Sequence, residues 1–225
     1  NDPVPVFMEK SKETLGTFLG ILYAGGFYSL LNTSLPKSRL DQIMSVLEVN
    51  YLITDKENEE MARTYFSDKE IYLYEDIINT KIDEEKLLSV RKNMVDVDPV
   101  YANFTSGSTG VPKGVLVSNR SIIDFIENFT TTFNFTDKDV IGNQAPFDFD
   151  VSVKDIYTAL KTGATLVIIP KELFINPAKL IDCLIDNKVT SLTWAVSALC
   201  FITTFHGFDS KIPSCVKKVL FRGEV

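Results

Sequence analysis

Four hydroxyl side chains, three glycines and one lysine crowd into Asn103-Phe104-Thr105-Ser106-Gly107-Ser108-Thr109-Gly110-Val111-Pro112-Lys113-Gly114. Glycine lets backbone N–H groups come close to an anion, hydroxyls add donors, and lysine adds a mobile point charge. Together these groups suit a polyphosphate. The order is not that of a Walker A loop, which has glycine directly before its lysine and Ser or Thr directly after. Here Pro112 precedes Lys113 and Gly114 follows it. A flexible Gly/Ser turn accounts for the composition but not for the order.

The second constellation is Phe147-Asp148-Phe149-Asp150-Val151-Ser152-Val153-Lys154-Asp155-Ile156-Tyr157. Asp150 follows two phenylalanines and precedes an apolar residue. An acid so placed either caps the helix that follows or waits, part-buried, for a cation. Other reactive types are sparse. Cys183, Cys200 and Cys215 lack CxxC or metal-ligand spacing and fit reduced thiols. His206, the single histidine, reads as a surface or helix-end residue.

These groups need a scaffold. Val100-Tyr101-Ala102 and Val115-Leu116-Val117 flank the first loop and are rich in β-formers, so the loop joins two strands and no helix dipole is its main anion-holding device. Upstream, Leu15, Phe18, Leu19 and Leu22 mark one face of a helix near Ser11 to Tyr23, with Ser11 as N-cap and Gly25 as stop. A buried strand follows at Phe27 to Leu31. Pro36 opens a helix to about Leu47, then come a strand at Tyr51 to Thr54, a charged helix at Lys56 to Tyr65 and a short strand at Ile71 to Leu73. Residues 75–98 are acidic and weakly periodic, a solvated helix and connector, with a subdomain split near 95–100.

Past the loop, Ser118 or Asn119 caps a helix to about Phe133. Strands at 139–144, 165–169, 191–194 and 216–221 alternate with helices starting near Asp150 or Ser152, at Pro177 and at Ser197. This rhythm predicts an α/β fold of layered, parallel-rich sheets flanked by helices.

Bulk properties exclude several classes. A net charge of −7 offers no basic surplus for nucleic acid. Residues 51–100 hold 13 acidic against 7 basic side chains, so the acidity sits away from the phosphate-type loop. Thr14 to Pro36 carries no charge, but Gly25-Gly26 splits the run, which is better explained by a helix and a buried strand than by a membrane span. Five Asn-x-Ser/Thr sequons carry little information, and one abuts the loop. The expected location is cytoplasmic.

Tyr101 to Val115 resembles the signature loop of adenylate-forming, AMP-binding enzymes: amino-acid adenylation domains of nonribosomal peptide synthetases, D-alanine–carrier protein ligases and acyl-CoA synthetases. Leu19 to Tyr28 and the Leu35-Pro36 turn are similar to a second segment of that family. The resemblance implies part of the large N-terminal domain of an acetyl-CoA synthetase-like enzyme, over residues 1–225, with ATP and Mg²⁺ as cofactors. It assigns Thr105, Ser106, Gly107, Ser108, Thr109, Gly110 and Lys113 to the phosphates, with Lys113 the one catalytic candidate.

Phe149-Asp150-Val151-Ser152 resembles the Phe-Asp-x-Ser motif of amino-acid-activating members, in which the Asp pairs with the substrate's α-ammonium. The same resemblance places Val151, Lys154, Thr193 (or its neighbour Trp194, otherwise a core aromatic), Leu220 and Arg222 at substrate-pocket positions. Lys154 and Arg222 depart from the compact apolar pocket of D-alanine ligases. They either favour an acidic substrate side chain or point to solvent. Trp194-Ala195-Val196-Ser197 lacks the family's usual proline, which bears on loop stiffness more than chemistry.

The family's later motifs, for adenine, metal and ribose and the lid lysine, are not found before Val225. Asn1, with no leading Met, is expected to be a boundary or processing point. The implied function is ATP-dependent formation of an aminoacyl-AMP and transfer to a carrier protein with a phosphopantetheine arm, these 225 residues alone being inactive. The alternatives are an acyl-CoA or aryl-acid ligase, and a non-catalytic nucleotide-binding remnant.

Overall fold

The computed structural model describes residues 1–105, 112–209 and 211–222, the side chain of Arg222 excepted. The chain forms two compact units, Asn1–Ser121 and Ile122–Val225.

The first unit is built on strands β1 (Pro3–Phe7), β2 (Phe27–Leu30), β3 (Tyr51–Thr54), β4 (Glu70–Leu73), β5 (Pro99–Thr105) and β6 (Lys113–Ser118). Their order in the sheet is β4-β3-β1-β2-β5-β6, and every pairing is parallel except the β5–β6 hairpin. Helices α1 (Lys12–Tyr23), α2 (Lys37–Leu47), α3 (Glu59–Tyr65), α4 (Tyr74–Ile77) and α5 (Glu84–Lys92) connect them. Phe7, Leu31, Leu40, Ile43, Met44, Leu47, Leu52, Ala62 and Phe66 form one core cluster.

Local chemistry sets the ends of α1. Ser11 Oγ accepts from the Thr14 N–H at 3.1 Å, and Gly25 takes φ 82, where a side chain would be strained. The buried face differs from the expected one. Thr14, Thr17, Phe18 and Ile21 are buried, while Leu19 is 40% exposed. Thr14 and Thr17 can be buried because their hydroxyls donate to the carbonyls of Glu9 and Glu13.

Strand β1, third in the sheet, has no counterpart in the sequence-based reading. Its pairing with β3 is confined to Val6 and Phe7, beyond Pro3 and Pro5, which have no N–H to donate. The Tyr51 hydroxyl donates to the Pro3 carbonyl instead, at 3.1 Å.

The sequence places a subdomain split near residues 95–100. There the Asp98 and Asp96 carbonyls accept from Asn119 N and Arg120 N at 2.9 and 2.7 Å, and the Arg120 guanidinium bonds both Asp96 oxygens at 2.8 Å. These bonds tie residues 96–98 to the start of α6 (Asn119–Thr132), which runs through the boundary between Ser121 and Ile122.

The second unit holds β7 (Val140–Asn143), α7 (Ser152–Thr162), β8 (Thr165–Ile168), a 3₁₀ turn (Lys171–Ile175), α8 (Pro177–Asp186), β9 (Ser191–Ala195), α9 (Val196–Thr204) and β10 (Lys218–Arg222). Its strands lie in the order β10-β9-β7-β8, all parallel. Trp194 is a core residue: it is 1% exposed, and its Nε1 donates to the Gly142 carbonyl at 2.7 Å.

The N-terminal ends of three of these strands are pinned by Asp139. Its carboxylate accepts from the Ser191 hydroxyl at 2.8 Å, the Thr136 N–H at 2.8 Å and the Lys218 ammonium at 2.9 and 3.0 Å. That leaves the opposite ends, Asn143, Ala195 and Arg222, as the edge where open parallel sheets place ligands. The observed architecture is the expected one, an α/β arrangement of parallel-rich sheets flanked by helices.

Candidate functional site

In the first unit the site residues lie on the β5–β6 hairpin. Antiparallel pairing runs from Tyr101↔Val117 to Thr105↔Lys113, so the phosphate-type loop is a hairpin connection between two strands, as its flanks indicate. Thr105 and Lys113 are exposed and face each other at its base. Ser106, Gly107, Ser108, Thr109 and Gly110 lie outside the described residues. Gly114 sits close against the Phe104 ring: a Cβ there would lie 3.2 Å from the ring, which packs against the core of this unit.

One neighbour of the loop escapes the sequence-based reading. Arg39, half-buried on α2, donates from Nη2 to the Thr105 carbonyl at 3.1 Å. It lies 66 residues from Thr105 in the chain, and no motif links the two. The arginine anchors the strand end and brings a second cation to the base of the hairpin.

In the second unit, α7 is entered through a short turn. Phe149 N donates to the Pro146 carbonyl, and Ser152 N and Oγ both donate to the Phe149 carbonyl at 3.0 and 2.7 Å. The helix has no side-chain cap bond at its N-terminus. Asp150 is therefore not a cap, and it is exposed rather than part-buried. Its carboxylate stands at the positive end of α7, beside Phe149, which is 58% exposed.

Val151 and Lys154 are half-buried on the same turn and helix. Thr193 is buried, pairs directly with Leu220 across the β9–β10 ladder, and its hydroxyl has no hydrogen-bond partner among the described residues. Leu220 packs against Phe135, Ile141 and Ala159. Arg222 is opposite Ala195 in the β9–β10 register, two positions beyond Leu220, and its side chain lies outside the described residues.

His206 ends α9 in a left-handed conformation, φ 57, with its side chain 79% exposed, as a helix-end residue. Among the described residues no group of three His, Cys, Asp or Glu side chains is placed to hold a metal ion, and no helix is long and apolar enough to cross a membrane.

The family model described as AMP-binding enzyme matches residues 1–225. A D-alanine--D-alanyl carrier protein ligase of Bacillus cytotoxicus is 30% identical over 230 residues, covering 100% of this chain and 44% of that protein. Bacitracin synthase 1 of Bacillus licheniformis is 31% identical over 219 residues, 97% of this chain and 4% of that one. The chain thus spans less than half the length of these relatives. Among solved structures, the nonribosomal peptide synthetase FmoA3 (S1046A) superposes with a TM-score of 0.85 at 22% identity, over 100% of this chain and 23% of that one, a likeness of fold.

Proposed function

This chain belongs to the AMP-binding enzyme family, and we propose on that premise that the whole protein activates an amino acid as its aminoacyl-AMP. The acyl group then passes to the phosphopantetheine thiol of a carrier protein. In the first step a carboxylate oxygen of the amino acid attacks the α-phosphorus of ATP, and the bond to the bridging oxygen breaks to release pyrophosphate. In the second, the thiol sulfur replaces AMP at the carbonyl carbon and gives up its proton.

The observation that carries this reading is Asp150. It does not cap α7 and its carboxylate is exposed, so it is available to an α-ammonium group through a charge-assisted hydrogen bond. Val151, Lys154, Thr193, Leu220 and Arg222 would line the side-chain pocket. Thr105 and Lys113, with Ser106 to Gly110 between them, would hold the triphosphate, and Lys113 would offset the negative charge that builds on the phosphate oxygens as pyrophosphate leaves. Mg²⁺ would arrive on the phosphates as part of the nucleotide substrate.

ATP–pyrophosphate exchange by the whole protein, screened against amino acids and against carboxylic acids lacking an amino group, tests this. Exchange that depends on an amino acid is expected. Exchange supported equally by the des-amino acids would overturn the amino-acid reading in favour of an acyl or aryl acid, and no exchange with any acid would overturn the ligase.

A further inference from the structure

Asn143 closes β7, and Asp155 lies in the first turn of α7. Asn143 Nδ2 donates to Asp155 Oδ2 at 2.9 Å, and the two residues are 0% and 1% exposed. Residues 144–151 between them form the turn that presents Asp150 ahead of α7. Ala145 and Phe147 root that turn in the unit's interior, and its backbone closes through Phe149 N to the Pro146 carbonyl and Val153 N to the Asp150 carbonyl.

A buried carboxylate is costly to desolvate, and apolar residues of similar size would join strand to helix at less cost. What apolar packing lacks is direction. An amide–carboxylate bond fixes the distance and the angle between the end of β7 and the start of α7, and so fixes where the intervening turn leaves the sheet. We propose that Asn143 and Asp155 are positioning residues for Asp150: their buried bond sets the place at which that carboxylate meets the substrate's ammonium. This rests on the amino-acid reading of the site. Asp155 touches no substrate in this account. It acts through Asn143 and the turn.

The test uses the whole protein with Asn143→Leu, the milder Asn143→Ser, and the reciprocal pair Asn143→Asp with Asp155→Asn, which rebuilds the bond with donor and acceptor exchanged. In the exchange assay the single variants should raise KM for the amino acid by about tenfold or more while KM for ATP stays within about twofold. The reciprocal pair should recover most of the loss. A purely structural role would lower the melting temperature with the amino-acid KM unmoved, or leave the folded reciprocal pair unrescued. Either result would overturn the proposal.

Hydrogen exchange gives a second readout that needs no catalysis and survives failure of the amino-acid reading. Asn143→Ser should speed exchange at the Phe149, Ser152 and Val153 amides and leave α8 unchanged. Unaltered rates at those three amides would sink the clamp, whereas absence of amino-acid-dependent exchange in the unmodified protein would sink the functional reading instead.

Discussion

Thr105 and Lys113 stand opposite one another in the antiparallel register of β5 and β6, the pair nearest the loop among the described residues. Directly opposed residues of an antiparallel pair project from the same face of the sheet. The hydroxyl and the ammonium are therefore presented on one side of the hairpin base. A single phosphate group could engage both.

Lys113→Ala should accordingly weaken ATP use far more than amino-acid use. The expected loss in kcat/KM for ATP is about tenfold to a hundredfold, with the melting temperature unmoved because Lys113 is exposed. Steady-state exchange kinetics at varied ATP check this, and an unchanged ATP dependence would remove Lys113 from the site.

Arg39 reaches the same hairpin from α2. Arg39→Ala frees the Thr105 carbonyl from its anchor and should raise KM for ATP by about threefold to tenfold. Arg39→Lys should not restore it, because a compact ammonium on a different stem cannot reproduce the guanidinium's geometry. Equal ATP affinity in all three proteins, measured by calorimetry, would show that the anchor is irrelevant to the loop.

Asp150→Ala should raise KM for the amino acid by about a hundredfold, and Asp150→Asn should do nearly as much because the amide has no charge for the ammonium. Neither variant should lose stability, since Asp150 is exposed and makes no cap bond. A melting temperature that falls with Asp150→Ala would instead point to a structural role for this acid.

Asp139 predicts a pH dependence. Burial pushes its carboxyl up, but hydrogen bonds from Lys218, the Thr136 N–H and Ser191, with the charge of Lys218, outweigh burial and hold it below the usual carboxylate range. A carboxyl whose pKa is lowered by folding adds stability above its unfolded pKa, and that stability drains away as pH falls through the folded value. Asp139→Asn should therefore cost about 2 kcal/mol at neutral pH, and the gap to the unmodified protein should begin to narrow below about pH 4 and close only as pH falls through the lowered folded value. Urea unfolding at both pH values, followed by Trp194 fluorescence, reads this. A gap independent of pH would refute the ion pair's part in it.

Gly142 leaves almost no room for a side chain. A Cβ there would lie 3.0 Å from Val189 Cγ1, 3.1 Å from Leu192 Cδ2 and 3.3 Å from Ile169 Cδ1. Gly142→Ala should destabilise the protein by about 1–3 kcal/mol without changing KM for ATP. A neutral effect on thermal unfolding would mean that these side chains yield freely.

The sequence by itself determined the elements and the loop. Ser11 and Gly25 bracket α1, the strand at Tyr51–Thr54 falls where its β-branched and aromatic residues put it, and Thr105 to Lys113 joins two strands, because caps, turn residues and side-chain alternation act over a few neighbouring residues. Strand β1 escaped, since Pro3 and Pro5 oppose a strand locally and only β2 on its other side, with β3 past the prolines, overrides them. Tertiary structure alone decided that Arg39 meets Thr105, that Asp139 gathers Ser191 and Lys218, that Asn143 bonds Asp155, and that Asp150 is left at the surface without capping α7. Those outcomes depend on which strands become neighbours and on which side chains the core excludes from water, and neither is set by residues adjacent in the chain.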